Sequence, residues 1–171
     1  MRTLGKLLLS IFILLTLLSA CGPLKDENDL ERINNNNELR AAYGQVTGTY
    51  QGTVTPYGIN SNTYPIEVKL YIIDVQDGVS STGELQTRPE LRGYYRRLDT
   101  RDDLLATSLG VAFNKNTYDL TMTASKQSTG STRGDTYLSL TGKFSAGTIE
   151  GTSNYVQIGE TGRLTLNRIS Q

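Results

Sequence analysis

The chain has 171 residues, with 17 Lys and Arg against 17 Asp and Glu, ten tyrosines, no histidine, no tryptophan and one cysteine. That length fits one domain with appendages, and the balanced charge lacks the basic excess of a nucleic-acid binder. Without histidine, and with one thiol, there is no Ser-His-Asp or Cys-His machinery, no usual zinc set of Cys and His, and no internal disulfide.

The first element predicted is a secretory signal. Arg2 and Lys6 make a positive start, Leu7 to Leu18 is apolar apart from Ser10 and Thr16, and the small residues Ser19 and Ala20 follow. The apolar run is shorter than the roughly 20 residues that span a bilayer. It ends on Leu18, Ser19, Ala20 and Cys21, which resembles the lipobox of bacterial lipoproteins at every position. The resemblance covers residues 1–21 alone. It implies diacylglyceryl transfer to the Cys21 sulfur, cleavage between Ala20 and Cys21, and in many bacteria acylation of the new amine. Several acyl chains such as palmitate anchor firmly where one is marginal. Gly22 follows, rather than the Asp that tends to retain lipoproteins at the inner membrane of enteric-type bacteria, so the outer membrane is favoured. Loss of residues 1–20 removes two bases and no acid, leaving 15 bases against 17 acids.

Residues 21–43 read as the lipidated cysteine and a polar tether. Asp, Glu, Asn, Lys and Arg dominate, and such a segment buries little. Asp29 to Ile33 has the makings of one helical turn and Glu38 to Ala42 of another, with Asn34 to Asn37 interrupting them. A solvated spacer is the plainer reading. Docking of Leu39, Ala42 and Tyr43 against the following domain is the sharper one.

From residue 44 to 171 the pattern has period two, the signature of strands. Eight are expected. The first is Val46 to Val54, with Val46, Tyr50 and Val54 on one face beside Gly48 and Gly52. The second is Ile66 to Ile72, running on to a turn at Asp77-Gly78. The third takes Leu85 and Leu91 to Leu98, and the fourth Leu105, Leu109, Val111 and Phe113, ending in a turn at Asn114 to Asn116. Tyr118, Leu120 and Met122 give the fifth; Leu138, Leu140 and Phe144 the sixth, ending at Ser145 to Gly147. The seventh is Ile149 to Tyr155. The eighth is Arg163 to Ile169, after a turn at Gly159 to Gly162.

Eight short strands with hairpin-length turns predict an all-β antiparallel meander, closed into a barrel because closure removes the sticky edges. A β-sandwich is the alternative. The outline resembles calycin-like barrels in its Gly48-to-Gly52 opening strand around Tyr50 and its closing strand with Leu164 and Leu166. It departs from the lipocalin pattern in lacking the Trp of the opening strand. A barrel of this size holds a side-chain core or one small ligand.

The one dense patch runs from Arg88 to Arg101. Arg92, Tyr94, Tyr95, Arg96 and Arg97 form a candidate partner surface, since Arg and Tyr are enriched at interfaces and guanidinium suits carboxylate or phosphate. Acidic neighbours Glu84, Glu90, Asp99, Asp102 and Asp103 offer ordinary ion pairing as the plainer account. Tyr50, Tyr118 and Tyr155 are expected in the core, or as pocket lining if the interior is open. Asp74 to Gly78 lacks the ligand spacing of a calcium loop and reads as a turn. Gly130 to Gly134 lacks the ending of a phosphate-binding loop. Asp102, Asp103 and Glu150 are the carboxylates a glycoside hydrolase would need.

The expectation is a lipid-anchored envelope module that binds or supports an envelope protein without catalysis, metal or cofactor. The alternative is a carrier of a small apolar ligand, and an envelope hydrolase has the least support.

Overall fold

The computed structural model describes residues 27–58, 62–80, 83–99, 107–126 and 135–171. The lipobox with Ala20 and Cys21, Leu105, the pair Asp102 and Asp103, and the Gly130–Gly134 loop lie outside them. Two compact units divide at Asn35 and Asn36.

One helix, α1 (Glu27–Val46), precedes eight strands: β1 (Gly48–Pro56), β2 (Tyr64–Val79), β3 (Leu85–Arg97), β4 (Thr107–Phe113), β5 (Asp119–Lys126), β6 (Asp135–Ser145), β7 (Thr148–Tyr155) and β8 (Glu160–Ser170). Each strand pairs antiparallel with its chain neighbours, and β1 also pairs with β8, so the sheet is a closed barrel. The sandwich alternative is excluded by that closure.

Alternation puts one face of every strand inside. Tyr50 and Val54 of β1, Ile66, Val68 and Leu70 of β2, Leu91 and Tyr95 of β3, and Leu109 of β4 are buried there. So are Leu120 and Met122 of β5, Leu138 and Leu140 of β6, Ile149 of β7, and Leu164 and Leu166 of β8. Each fully buried aliphatic side chain contributes about 1.5–3 kcal/mol. Closure at this diameter brings strands close together where side chains are smallest. A Cβ added at Gly52 would lie 1.9 Å from the Thr165 carbonyl oxygen, and one at Gly151 would lie 1.9 Å from that of Thr141. Only glycine leaves the backbones that approach.

Three expectations need correction. The polar stretch is not interrupted at Asn34–Asn37: from Glu27 to Val46 it is one continuous helix of 20 residues. Glu27 and Asp29 favour its N-terminal end, and Arg32 pairs with Asp29 one turn away at 3.1 Å. Its last two turns carry Leu39, Ala42, Tyr43 and Val46 at helical spacing. Ala42 and Val46 are buried and Tyr43 packs against the core. Val46 therefore ends the helix rather than opening the first strand.

Asp77-Gly78 is not a turn. β2 continues through it, with a register shift between Gln76 and Gly78 and a Gly78 φ of +131°, and pairing runs on to Val79 opposite Leu85. The two strands are joined beyond Val79 and Leu85, where the Glu84 N–H donates to Ser80 Oγ at 2.9 Å.

Tyr118 is not a core residue. It sits in the β4–β5 turn with φ +60°, 40% exposed, edge-on to Phe113. The turn is held as expected by Asn114, whose Oδ1 accepts from the Asn116 N–H at 3.0 Å.

β2 and β3 are longer than their neighbours. β1 covers β2 only as far as Leu70, and β4 covers β3 only from Arg92 onward. Tyr71–Val79 with Leu85–Leu91 thus projects as a two-stranded ribbon. The second half of α1 reaches it through Asn36 Nδ2, which donates to the Thr87 carbonyl at 2.8 Å, and through an ion pair of Arg40 with Asp74. Across the barrel end, Lys115 pairs with Glu38 at 2.8 Å.

Candidate functional site

The barrel offers three places for chemistry: its interior, its two ends and its outer face. The interior is occupied by its own side chains. Tyr50, Ile66, Val68, Leu109, Met122, Leu140, Ile149, Leu164 and Leu166 have 0% of their surface accessible. A side chain bordering a hollow large enough for water would show accessible surface, so there is no hollow beside these residues.

At the helix end, Tyr50 and Arg168 form a clamp. The Tyr50 hydroxyl donates to the Val46 carbonyl at 2.7 Å and accepts from Arg168 Nη2 at 2.8 Å and Nε at 3.1 Å. Arg168 also donates to the Gln45 carbonyl. The last turn of α1 has no basic residue of its own, so β8 supplies the cation that the carbonyl end of a helix favours. Burial raises the Tyr50 pKa against the opposing pull of Arg168. Tyr50 is thus committed to holding the helix.

The opposite end is a mouth rich in tyrosine. The Tyr64 hydroxyl donates to Glu160 Oε1 at 2.9 Å, and the Arg97 guanidinium lies over the Tyr64 ring at 3.8 Å. Burial, helped by the Glu160 carboxylate, pushes the Tyr64 pKa up to about 12. Arg97 grips Asp99 with two hydrogen bonds of 3.0 and 2.7 Å, which lowers the Asp99 pKa. Tyr95 is 6% exposed and its hydroxyl has no hydrogen-bond partner among the described residues. Tyr155 is half-buried, edge-on to Tyr137 at 6.0 Å. Tyr50 and Tyr155 are therefore in different neighbourhoods, and Tyr118 is on the outside.

Strand alternation also divides the Arg/Tyr run. Arg92, Tyr94 and Arg96 point outward, Tyr95 inward, and Arg97 belongs to the mouth. The register then brings in residues that adjacency in sequence did not reveal. Lys69 lies opposite Tyr94, and Tyr71 opposite Arg92. The result on the outer face is a square in which Tyr71 and Tyr94 share one diagonal and Lys69 and Arg92 the other. The two rings stack at 5.3 Å with 21° between their planes. Opposite Arg92 on the next strand is Gly110, which has no side chain to cover it.

Carboxylates neutralise part of this face. Arg92 pairs with Glu90 at 2.7 Å, and Glu67 accepts from Arg96 at 2.7 Å and from Gln51 at 2.8 Å. Burial raises the Glu67 pKa, but the Arg96 and Gln51 hydrogen bonds together outweigh it and the net shift is downward. Beside the square, where β1 ends and β2 runs on, lies a cleft of about 420 Å³ bordered by Thr47, Thr49, Lys69, Tyr71, Ile72 and Ser170.

Glu150 stands on β7 with Lys143 and Thr165 as its register partners. No described group of three His, Cys, Asp or Glu residues is placed to hold a metal ion, and no described helix is long and apolar enough to cross a membrane. No family, curated protein or solved structure matches the chain.

Proposed function

We propose that this chain is a lipoprotein of the cell envelope, anchored through acyl chains on Cys21, whose barrel serves as a non-catalytic binding or structural accessory module. The anchor rests on the Leu18-to-Cys21 motif; Gly22 favours the outer membrane where there is one. The observation that carries the module is the contrast between the interior and the outer face. The interior is filled by side chains at 0% exposure, which weighs against a carrier of a small apolar ligand. The outer face holds two stacked tyrosines flanked by cations, a composition that suits recognition.

Two measurements test the reading. Cells fed an alkyne-bearing palmitate are expected to label the wild-type chain and not Cys21→Ala, which should leave the membrane fraction. A photo-crosslinking residue at Tyr94 is expected to capture an envelope component, whereas one at Lys143, on another outer strand, is not. An unlabelled wild-type chain would remove the anchor. A lipid-sized mass that leaves the purified protein only on solvent extraction would restore the carrier.

A further inference from the structure

We propose that the outer face of β2 and β3 binds an acidic glycan, with a sugar ring on the Tyr71–Tyr94 stack and a sugar carboxylate at Lys69. This deepens the preceding proposal by naming the ligand class of the module and rests on it for the source of the glycan.

Four observations converge on that chemistry. The two rings are stacked on each other, 5.3 Å between centroids and 21° between planes. Tyr94 is 44% exposed. The C–H face of a pyranose packs on the outer face of such a stacked pair. Second, the charge beside the platform is unbalanced in one direction. Arg92 is answered by Glu90 and Arg96 by Glu67, whereas Lys69 is exposed and forms no ion pair among the described residues. Glu67 also feels the Lys69 charge, but three cations beside two carboxylates leave one positive charge in excess, which fits one sugar carboxylate and is far from the basic stripe that a nucleic acid requires.

Third, the adjoining cleft of about 420 Å³ falls within the range of small-ligand sites. Its border carries the hydroxyls of Thr47, Thr49 and Ser170, which suit a ligand dense in hydroxyls. Fourth, the cleft exists because β1 stops at Gly48 while β2 continues. Beyond Leu70, β2 has no strand partner on its β1 side. An acidic peptide would use the cation, but neither the ring platform nor the hydroxyl border.

The test uses the full-length chain in detergent and three probes: a tetramer of galacturonic acid, the neutral tetramer of galactose, and tetraglutamate. Titration calorimetry is expected to show binding of the uronate, about tenfold weaker binding of the neutral sugar, and no binding of the peptide. Lys69→Ala and Tyr71→Ala are each expected to weaken uronate binding about tenfold, and Lys69→Arg to preserve it. Lys69 is exposed on a barrel face, so its variants keep the fold even if Tyr71→Ala does not. Tetraglutamate binding as well as the uronate would reduce the site to a general anion face and overturn the proposal. So would a wild-type chain that ignores the uronate, or Lys69→Ala binding it unchanged. Palmitate labelling is independent of these titrations: labelling without glycan binding removes this proposal alone, and glycan binding without labelling removes the anchor alone.

Discussion

The two ends of the barrel solve the same problem differently. A closed sheet leaves polar backbone and a ring of inner side chains exposed at each rim. At one end the chain covers them with the last turns of α1, and the polar groups there are answered: Tyr50 bonds to Val46 and Arg168, and Arg168 bonds to Gln45. At the other end α1 is absent, and the described residues include a single short 3-10 helix, Val156–Ile158, between β7 and β8. Tyrosines and one arginine sit there instead, and the Tyr95 hydroxyl is buried without a partner among the described residues. The comparison teaches that similar residues hold different amounts of stability according to what their polar atoms meet. Burying a hydroxyl costs free energy unless a hydrogen bond compensates.

The largest effect should come from breaking the covered end. Val46→Asp places a charge at a fully buried position and is expected to cost roughly 4 kcal/mol, read as a lower urea midpoint with faster protease cleavage in α1. Next comes a matched pair of hydroxyl deletions. Tyr50→Phe should cost about 2 kcal/mol, because it leaves Arg168 and the Val46 carbonyl short of a partner. Tyr95→Phe should be neutral or stabilise by up to about 1 kcal/mol, since it removes a hydroxyl without a partner among the described residues. Equal losses for the two would erase the distinction between the ends.

Alkaline titration sharpens the mouth. The folded Tyr64 holds its proton up to about pH 12, while the unfolded chain releases it near pH 10. The folded state therefore binds more protons in that window. Its stability is fully present below about pH 10 and falls as pH rises toward 12, by at most about 1.4 kcal/mol per pH unit for this one group. Denaturation midpoints of Tyr64→Phe against wild type should differ in slope over that range and not below it. The smallest effect is expected from Asp99→Asn. Its ion pair with Arg97 is partly exposed and contributes about 0.5 kcal/mol.

The eight strands were legible because each needs only a local alternation of apolar and polar residues. Two local signals misled for physical reasons. Asp-Gly serves a turn or a bulge equally, since both need a residue with positive φ; pairing of Val79 with Leu85 decides for the bulge. The asparagine run weakens a helix in isolation, but contacts of Asn36, Glu38 and Arg40 with residues 50 or more positions away, or on the ribbon, hold it. The outer-face square was half legible. Arg92 and Tyr94 stood out as a cluster, whereas Lys69 and Tyr71 became their neighbours only through the register of β2 against β3. Tyr95 and Arg97 were read as members because adjacency in sequence hides which face a strand residue takes.

The clamp on α1 has a consequence for the order of events during folding. Every ladder but one joins strands adjacent in the chain, so hairpins can form progressively as the chain emerges. The exception is β1 with β8, and the residue that secures the helix, Arg168, lies on β8. The helix that precedes the barrel is therefore locked by a residue of the barrel's last strand. Until β8 is in place the nascent chain has neither a closed wall nor the Arg168 bonds at the end of α1.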